Sequence, residues 1–135
     1  MQSLTAVLLI ALMQPATSAP PSQVSCLAKN IYHEARGEPY SGQLAVAYTT
    51  LNRVEHKAFS NTICAVVFEK GQFSWTSDKN KVKQKVPKKY YQLARLAISK
   101  HKRAKFKALY FHNTSINPKW KHKKLAKIGN HVFYL

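Results

Sequence analysis

The sequence predicts an α+β domain that is mostly helical and carries a small antiparallel sheet near its C-terminus. Three stretches in the first two thirds of the chain repeat apolar residues at the spacing of amphipathic helices. The last third instead holds short aromatic and β-branched runs, two of which flank a Gly-Asn pair that suits a tight turn. Helices packed beside such a sheet define the α+β class.

The first helix is expected over residues 23–36, with Leu27 and Ile31 on its inner face. Gly37 suits a left-handed residue just past the helix, and Pro39 cannot continue it. The pattern therefore predicts that this helix stops abruptly.

Two further long helices and one short helix are expected. The second helix should cover 41–55 with Ser41 as its cap, and the short helix should follow Asn61 or Thr62. The lysine-rich segment 79–85 is expected to be a polar linker or a loop that crosses the surface, after which Pro87 can open the last helix.

The strands are expected at the C-terminus. Residues 108–112 are aromatic and strand-like. Residues 125–128 and 131–135 flank Gly129-Asn130, which predicts a hairpin and a sheet of two or three strands.

Length and the N-terminal composition predict one domain at 20–135 behind an export signal at 1–19. Leu4 to Met13 is a ten-residue apolar run, too short to span a bilayer comfortably, and small residues follow it. An uncleaved membrane tether and an N-terminal helix of the fold are the competing interpretations.

The two cysteines, Cys26 and Cys64, form no C-x-x-C pair, so a structural zinc site of the finger type is not expected. If the chain is exported, a Cys26–Cys64 disulfide becomes plausible. The alternative is two buried free thiols.

The charge distribution is uneven. The chain carries 22 Lys and Arg residues against five acids, and no acid follows Asp78. Such a surface attracts polyanions. Anionic envelope polymers, including the peptide carboxylates of peptidoglycan, are favoured over a specific nucleic acid because of the export signal, and a solvated face without a partner is the third possibility.

Glu34 is the acid that points to chemistry. At 100° per residue, it falls between Leu27 and Ile31, within the apolar stripe of the first helix. Burial of a carboxyl raises its pKa, which is how enzymes keep a general acid protonated near neutral pH. The alternative is a structural ion pair with Arg36, Arg53 or a lysine.

Other catalytic patterns are missing from the sequence. His33-Glu34 begins like the zinc-protease H-E-x-x-H motif, but Gly37 stands where the second histidine is required. No metal or cofactor is therefore expected. A glycoside hydrolase of the ordinary type needs two carboxylates, whereas a lytic transglycosylase can use one, because the sugar's own 6-hydroxyl replaces water.

The chain resembles the catalytic domain of the spore-cortex-lytic (SleB-type) cell-wall hydrolases over nearly all of residues 20–135. The matching stretches occur in order and are I31-Y-H-E-A-R-G-E-P39, G42-Q-L-A-V-A47, L51-N-R-V54, N61-T-I-C64, Q72-F-S-W75, Y110-F-H112 and I128-G-N-H-V-F-Y134.

This resemblance implies a lysozyme-like fold and cleavage of peptidoglycan between N-acetylmuramic acid and N-acetylglucosamine, with Glu34 as the general acid/base. It also implies a glycan groove; the residues expected to bind substrate are Gln72, Ser74, Trp75, Tyr110, His112 and Asn113. The basic run at 79–89 departs from the family pattern. A monomer acting outside the cytoplasm is expected.

Two other functions stay open. A peptidoglycan amidase would need a metal, for which His33, His112 and His131 are the available histidines. A basic protein that only binds polyanions would need no catalytic acid. Chelator sensitivity would distinguish the amidase, and a Glu34→Gln variant would distinguish the binding protein.

Overall fold

The computed structural model describes residues 19–135, so the export signal expected at 1–19 lies outside the described residues except for Ala19. Five α-helices, a 3-10 turn and three strands follow one another along the chain. They are α1 (Pro21–Ala35), α2 (Tyr40–Glu55), α3 (Ile63–Val67), the 3-10 turn (Ser74–Ser77), α4 (Lys79–Lys83), α5 (Lys88–Ala104), β1 (Tyr110–Asn113), β2 (Lys124–Ile128) and β3 (His131–Tyr134).

The turn between α1 and α2 does not use the left-handed glycine that was expected at Gly37. Gly37 is absent from the residues with positive φ, so its prediction as a left-handed cap is wrong. Arg36 ends α1 in a right-handed helical conformation, and the amide of Glu38 donates to the carbonyl of Ala35 at 2.9 Å. Ser41 is likewise not the cap of α2, because the helix already begins at Tyr40, after Pro39.

The segment 79–85 is not a linker throughout, since α4 occupies most of it. The Asp78 carboxylate accepts hydrogen bonds from the amides of Asn80 at 3.0 Å and Lys81 at 3.2 Å, which satisfies free N–H groups of the first turn. Asp78 is therefore the N-cap residue that marks the start of this helix. The many lysines after it made the segment look like solvated loop in the sequence.

The sheet confirms the predicted hairpin and has the strand order β1-β3-β2, with both pairs antiparallel. Gly129 opens the hairpin turn with φ +57°. A Cβ there would lie 2.9 Å from Cδ of Pro39 and 3.1 Å from Oε1 of Glu38, so glycine also permits the turn to pack against the α1–α2 connection.

Two groups of buried side chains hold these elements together. The larger lies among the helices and includes Leu27, Ile31 and Trp75. The smaller lies between the helices and the sheet and centres on Phe133. Burying the inner face of α1 in the larger core fixes the direction in which the end of that helix presents its side chains.

Cys26 in α1 and Cys64 in α3 form a disulfide, as expected for an exported chain, with Cα atoms 5.2 Å apart. Within residues 19–135, no helix is both long and apolar enough to cross a membrane.

Candidate active site

An open groove of about 750 Å³ runs past the C-terminal end of α1. One wall comes from α1 and the segment that leads into the 3-10 turn. The other comes from β1 and the loop that follows it. The lining residues include His33, Glu34, Arg53, Gln72, Phe73, Ser74, Tyr110, Phe111, His112, Asn113, Ile116, Trp120 and His131.

Glu34 lies in this groove on the last turn of α1, half-buried beside the core. Burial raises the pKa of its carboxyl from 4.5 to about 7, and the positive charge of Lys81 opposes that rise. Among residues 19–135 no cation lies within ion-pair distance of Glu34, so the structural ion pair considered as the alternative does not form. The site can therefore hold a protonated carboxyl near neutral pH.

The other four acids of the chain all lie outside the groove. Glu38 accepts hydrogen bonds from the amide of Asn130 at 2.6 Å and from its side chain at 3.2 Å. Asp78 caps α4, Glu55 lies beside His101, and Glu69 is exposed. Since the sequence contains five acids in total, the groove holds a single carboxyl.

Five of the six side chains predicted to bind substrate line the groove together with Glu34. They come from two separate parts of the chain and are Gln72, Ser74, Tyr110, His112 and Asn113. Their contact with a substrate stays a prediction.

Trp75, the sixth residue expected to bind substrate, does not line the groove. Its side chain is 2% exposed, and its indole N–H donates to Oδ1 of Asn30 at 2.9 Å. Asn30 in turn donates to Thr50 at 3.3 Å. Trp75 therefore fastens the 3-10 turn onto α1 and α2 from behind the groove, whereas Trp120, 39% exposed, lies in the groove wall.

Arg53 also lines the groove, which the sequence did not predict. It is 5% exposed, and its guanidinium donates to the carbonyl of Leu109 at 2.7 Å and to Oε1 of Gln72 at 3.2 Å. Because a guanidinium can only donate, the Gln72 oxygen must face Arg53. The Gln72 amide NH₂ is then available to donate to an acceptor in the groove.

His112 is held on both sides by hydrogen bonds. Its Nδ1 lies 2.9 Å from the carbonyl of Asn113 and its Nε2 lies 2.7 Å from the hydroxyl of Tyr134. A carbonyl can only accept, so Nδ1 carries a proton and donates a hydrogen bond to the Asn113 carbonyl. This arrangement fixes the imidazole ring across the β1–β3 pair.

His33, one residue before Glu34, is partly buried between α1 and neighbouring segments. Its ring stacks on Trp75 with centroids 4.6 Å apart, and its Nε2 lies 3.1 Å from the carbonyl of Lys81. Helix α4, which the sequence did not predict, covers this side of α1. Burial, in the first place, lowers the pKa of His33.

Glu38 and His131 form an acid–histidine pair that the sequence did not predict. Nδ1 of His131 lies 3.6 Å from Oε1 of Glu38, and the His131 side chain, also a groove residue, is 3% exposed. Burial lowers the pKa of His131, and the Glu38 charge opposes that effect. The two residues are 93 positions apart, so no local pattern could join them.

The histidines proposed for an amidase do not form a metal-binding cluster in the described part of the chain. His33, His112 and His131 all line the groove, but no group of three His, Cys, Asp or Glu side chains in residues 19–135 could hold an ion.

The pKa of Glu34 predicts the pH dependence of activity. If Glu34 acts as an acid, kcat/KM should fall about tenfold per pH unit above pH 7, because the protonated fraction falls at that rate. The pKa values of His33 and His131 are lowered, so these residues affect only the acidic limb. Initial rates of cell-wall clearing between pH 5 and 9 would measure this, and a plateau that persists to pH 9 would contradict it.

A mainly helical domain with a small antiparallel sheet and an open groove beside the helical core is typical of the lysozyme-like α+β class. The chain belongs to the Cell Wall Hydrolase family (Hydrolase_2), which matches residues 37–134.

Individual relatives agree with this assignment. The spore cortex-lytic enzymes of Bacillus subtilis and Bacillus cereus are 34% and 33% identical to the chain over 115 residues, which cover 83% of it. The matched region spans 37% and 44% of those relatives, so the chain covers about two fifths of their length.

Solved structures show the same fold. The catalytic domain of the germination-specific lytic transglycosylase SleB from Bacillus anthracis superposes with a TM-score of 0.78 and 31% identity, and the match covers 90% of this chain and all of that domain. The catalytic domain of SleB from Bacillus cereus gives 0.75 and 30%, with 90% and 98% covered. These neighbours confirm the lysozyme-like α+β fold expected from the resemblance.

Proposed function

We propose that this chain cleaves the glycan strands of peptidoglycan between N-acetylmuramic acid and N-acetylglucosamine, as a lytic transglycosylase in which Glu34 is the general acid and base. The observation that carries the proposal is that Glu34 is the only one of the chain's five acids in the groove. One carboxyl suffices for this reaction, whereas the ordinary hydrolytic mechanism uses two.

In the proposed reaction the protonated Glu34 gives its proton to the glycosidic oxygen, and the bond between that oxygen and C1 of the muramyl residue breaks. The resulting carboxylate then accepts the proton of the muramyl 6-hydroxyl while O6 bonds to C1. A 1,6-anhydro ring forms, no water is consumed, and Glu34 is protonated again. A pKa of about 7 suits both steps, since the group must donate and then accept.

The groove walls supply suitable partners for an N-acetylated sugar. The Gln72 amide NH₂, oriented by Arg53, can donate to an acetamido carbonyl. The exposed face of Trp120, which packs against Tyr134 with ring centroids 5.3 Å apart, can cover the apolar face of a pyranose.

The proposed place of action is outside the cytoplasm, at the cell wall. The substrate lies there, and the Cys26–Cys64 disulfide is suited to an oxidising compartment. The formal net charge of +17 supports adsorption to anionic envelope polymers, and the chain is proposed to act as a monomer.

The deciding experiment is mass spectrometry of the soluble products after the chain digests purified peptidoglycan. Anhydromuramyl ends are the expected result. Reducing muramyl ends would contradict the transglycosylase step and require a second carboxyl.

The same experiment tests the other two functions. Intact glycan with released peptides would indicate an amidase, and a chelator should then stop the reaction. An absence of soluble products, combined with binding to the wall, would indicate a binding protein.

A further inference from the structure

Three basic residues lie next to His33, the neighbour of Glu34 at the edge of the groove: Lys29 one helical turn earlier in α1, Arg36 with Nη1 3.5 Å from the His33 carbonyl, and Lys81 with its carbonyl 3.1 Å from the His33 ring. Lys29 and Arg36 come from α1 and its C-terminal end, and Lys81 comes from α4. Burial is the largest effect that lowers the pKa of His33, and the hydrogen bond to the Lys81 carbonyl raises it. Repulsion from the charges of Arg36, Lys81 and Lys29 lowers this pKa further. We call these three residues the cationic rim.

The rim is held in place by contacts between α1 and α4. The Lys81 carbonyl lies 3.1 Å from Nε2 of His33, and the Gln84 amide donates to the Tyr32 hydroxyl at 3.0 Å. The Arg36 guanidinium lies 5.2 Å from the centre of the Tyr32 ring. These contacts hold the backbone of Lys81 beside His33, which lines the groove.

No acid neutralises the rim within the part of the chain that the structure describes. Neither ion pair found in residues 19–135 involves a rim residue, and the nearest acid in sequence to Lys81, Asp78, caps α4 with its carboxylate. Arg36 and Lys81 are exposed and Lys29 is half-buried, so the three charges remain available to a ligand.

We infer that the cationic rim binds the free carboxylates of the stem peptide on the muramyl residue next to the scissile bond, which makes peptide-bearing glycan the preferred substrate. This inference rests on the proposed function. If Glu34 protonates the oxygen on C1 of a muramyl residue, the lactyl group of that same sugar and its peptide must emerge close to Glu34. A short acidic peptide there meets the rim.

Lys81 links this binding to the reaction. Its charge reaches Glu34, since it lowers the pKa of that carboxyl against the effect of burial. A substrate carboxylate paired with Lys81 would offset this charge when the glycan is bound, which favours the protonated form of Glu34 that the first step requires.

The test uses one substrate in two charge states. Peptidoglycan freed of teichoic acid is left native, or its carboxylates are converted to N-methyl amides by carbodiimide coupling with methylamine. The wild-type chain should cleave the neutralised wall with a kcat/KM about tenfold lower, the size expected for a few exposed ion pairs.

Two triple variants localise the effect. In K29Q/R36Q/K81Q the rim is neutral, and kcat/KM on native wall should fall about tenfold and match the value on neutralised wall. In K100Q/K102Q/K107Q the same number of charges is removed from exposed lysines of α5 and the segment after it, none of which acts on His33 or Glu34. This control lowers the formal net charge of +17 equally and should discriminate between the walls as the wild type does.

Several outcomes would overturn the inference. Equal cleavage of both walls by the wild type, or continued discrimination by the rim variant, would mean that the rim does not bind stem peptides. A loss of activity on removal of teichoic acid, with no effect of amidation, would identify polymer phosphates as the ligand instead.

Two further measurements keep the test decisive. If replacing Arg36 lowers Tm, the single exposed change K81Q should still reduce discrimination about threefold. If the wild-type chain cleaves neither wall, the proposed glycan cleavage itself is refuted. If it cleaves both walls equally, only the inference about the rim is refuted.

Discussion

Glu34→Gln is expected to reduce peptidoglycan cleavage about a thousandfold while leaving adsorption to the wall intact. The amide has nearly the shape of the protonated carboxyl but cannot give a proton to the glycosidic oxygen. Positioned acid–base groups contribute roughly 10²–10⁴ in rate. Turbidity loss and product release at pH 6 would measure cleavage, and sedimentation with sacculi would measure binding.

The matched control is Glu55→Gln, which also removes one carboxylate but from an exposed side chain beside His101. It should keep wild-type activity. If the Glu34 variant cleaved the wall at the wild-type rate, Glu34 would not be the acid, and the single-carboxyl mechanism would lose its basis.

The free energy of unfolding of the Glu34→Gln variant should depend on pH in a way that excludes misfolding as the cause of inactivity. The pKa of Glu34 is raised from 4.5 to about 7 in the folded chain, so its stabilising contribution is complete below pH 4.5 and is lost as pH rises through 7. At pH 8 the Glu34→Gln variant should therefore be more stable than the wild type by about 1–3 kcal/mol. At pH 4.5 the difference should vanish, and thermal unfolding at the two pH values would show it.

The sequence was sufficient to predict the parts of the fold and site that depend on local patterns. Helical periodicity placed Glu34 beside Leu27 and Ile31, and the structure buries both neighbours completely. Gly129-Asn130 predicted the hairpin because a tight turn restricts which residues can occupy it. Each of these patterns lies within a dozen residues of chain.

The features that were missed depend on contacts between distant residues. Trp75 is buried because Asn30, 45 positions earlier, accepts its indole N–H. His33 is covered because Asp78 caps a helix within a lysine-rich segment that composition alone describes as a loop. Charge density indicates solvation, but it does not show where the backbone of that segment docks.

The side chains of the groove also fall into those that the sequence predicted and those whose roles depend on distant contacts. The resemblance brought Gln72 to attention, whereas the role of Arg53 depends on its hydrogen bond to Gln72, 19 residues away. A buried arginine gives no sign in the sequence of which acceptors it will find.

Removing the Cys26–Cys64 disulfide is expected to produce the largest change in stability. The bond closes a loop with a sequence separation of 38 and ties α1, which carries Glu34, to α3. In the chain-entropy model a loop of this size stabilises the folded state by about 3–4 kcal/mol, because the cross-link restricts the unfolded chain. For a domain of this length that corresponds to a fall in Tm of about 10–20 °C.

The measurement is thermal unfolding of the wild type with and without a reducing agent, beside a C26S/C64S variant. Reduction should lower the Tm of the wild type to near that of the variant and leave the variant unchanged. At 25 °C, well below either Tm, the variant should keep most of its activity, because α1 also packs against α2 and α5 and these contacts hold Glu34 in place. A Tm that is indifferent to reduction would show that the bond contributes little, whereas a loss of activity without unfolding would show that it positions Glu34 directly.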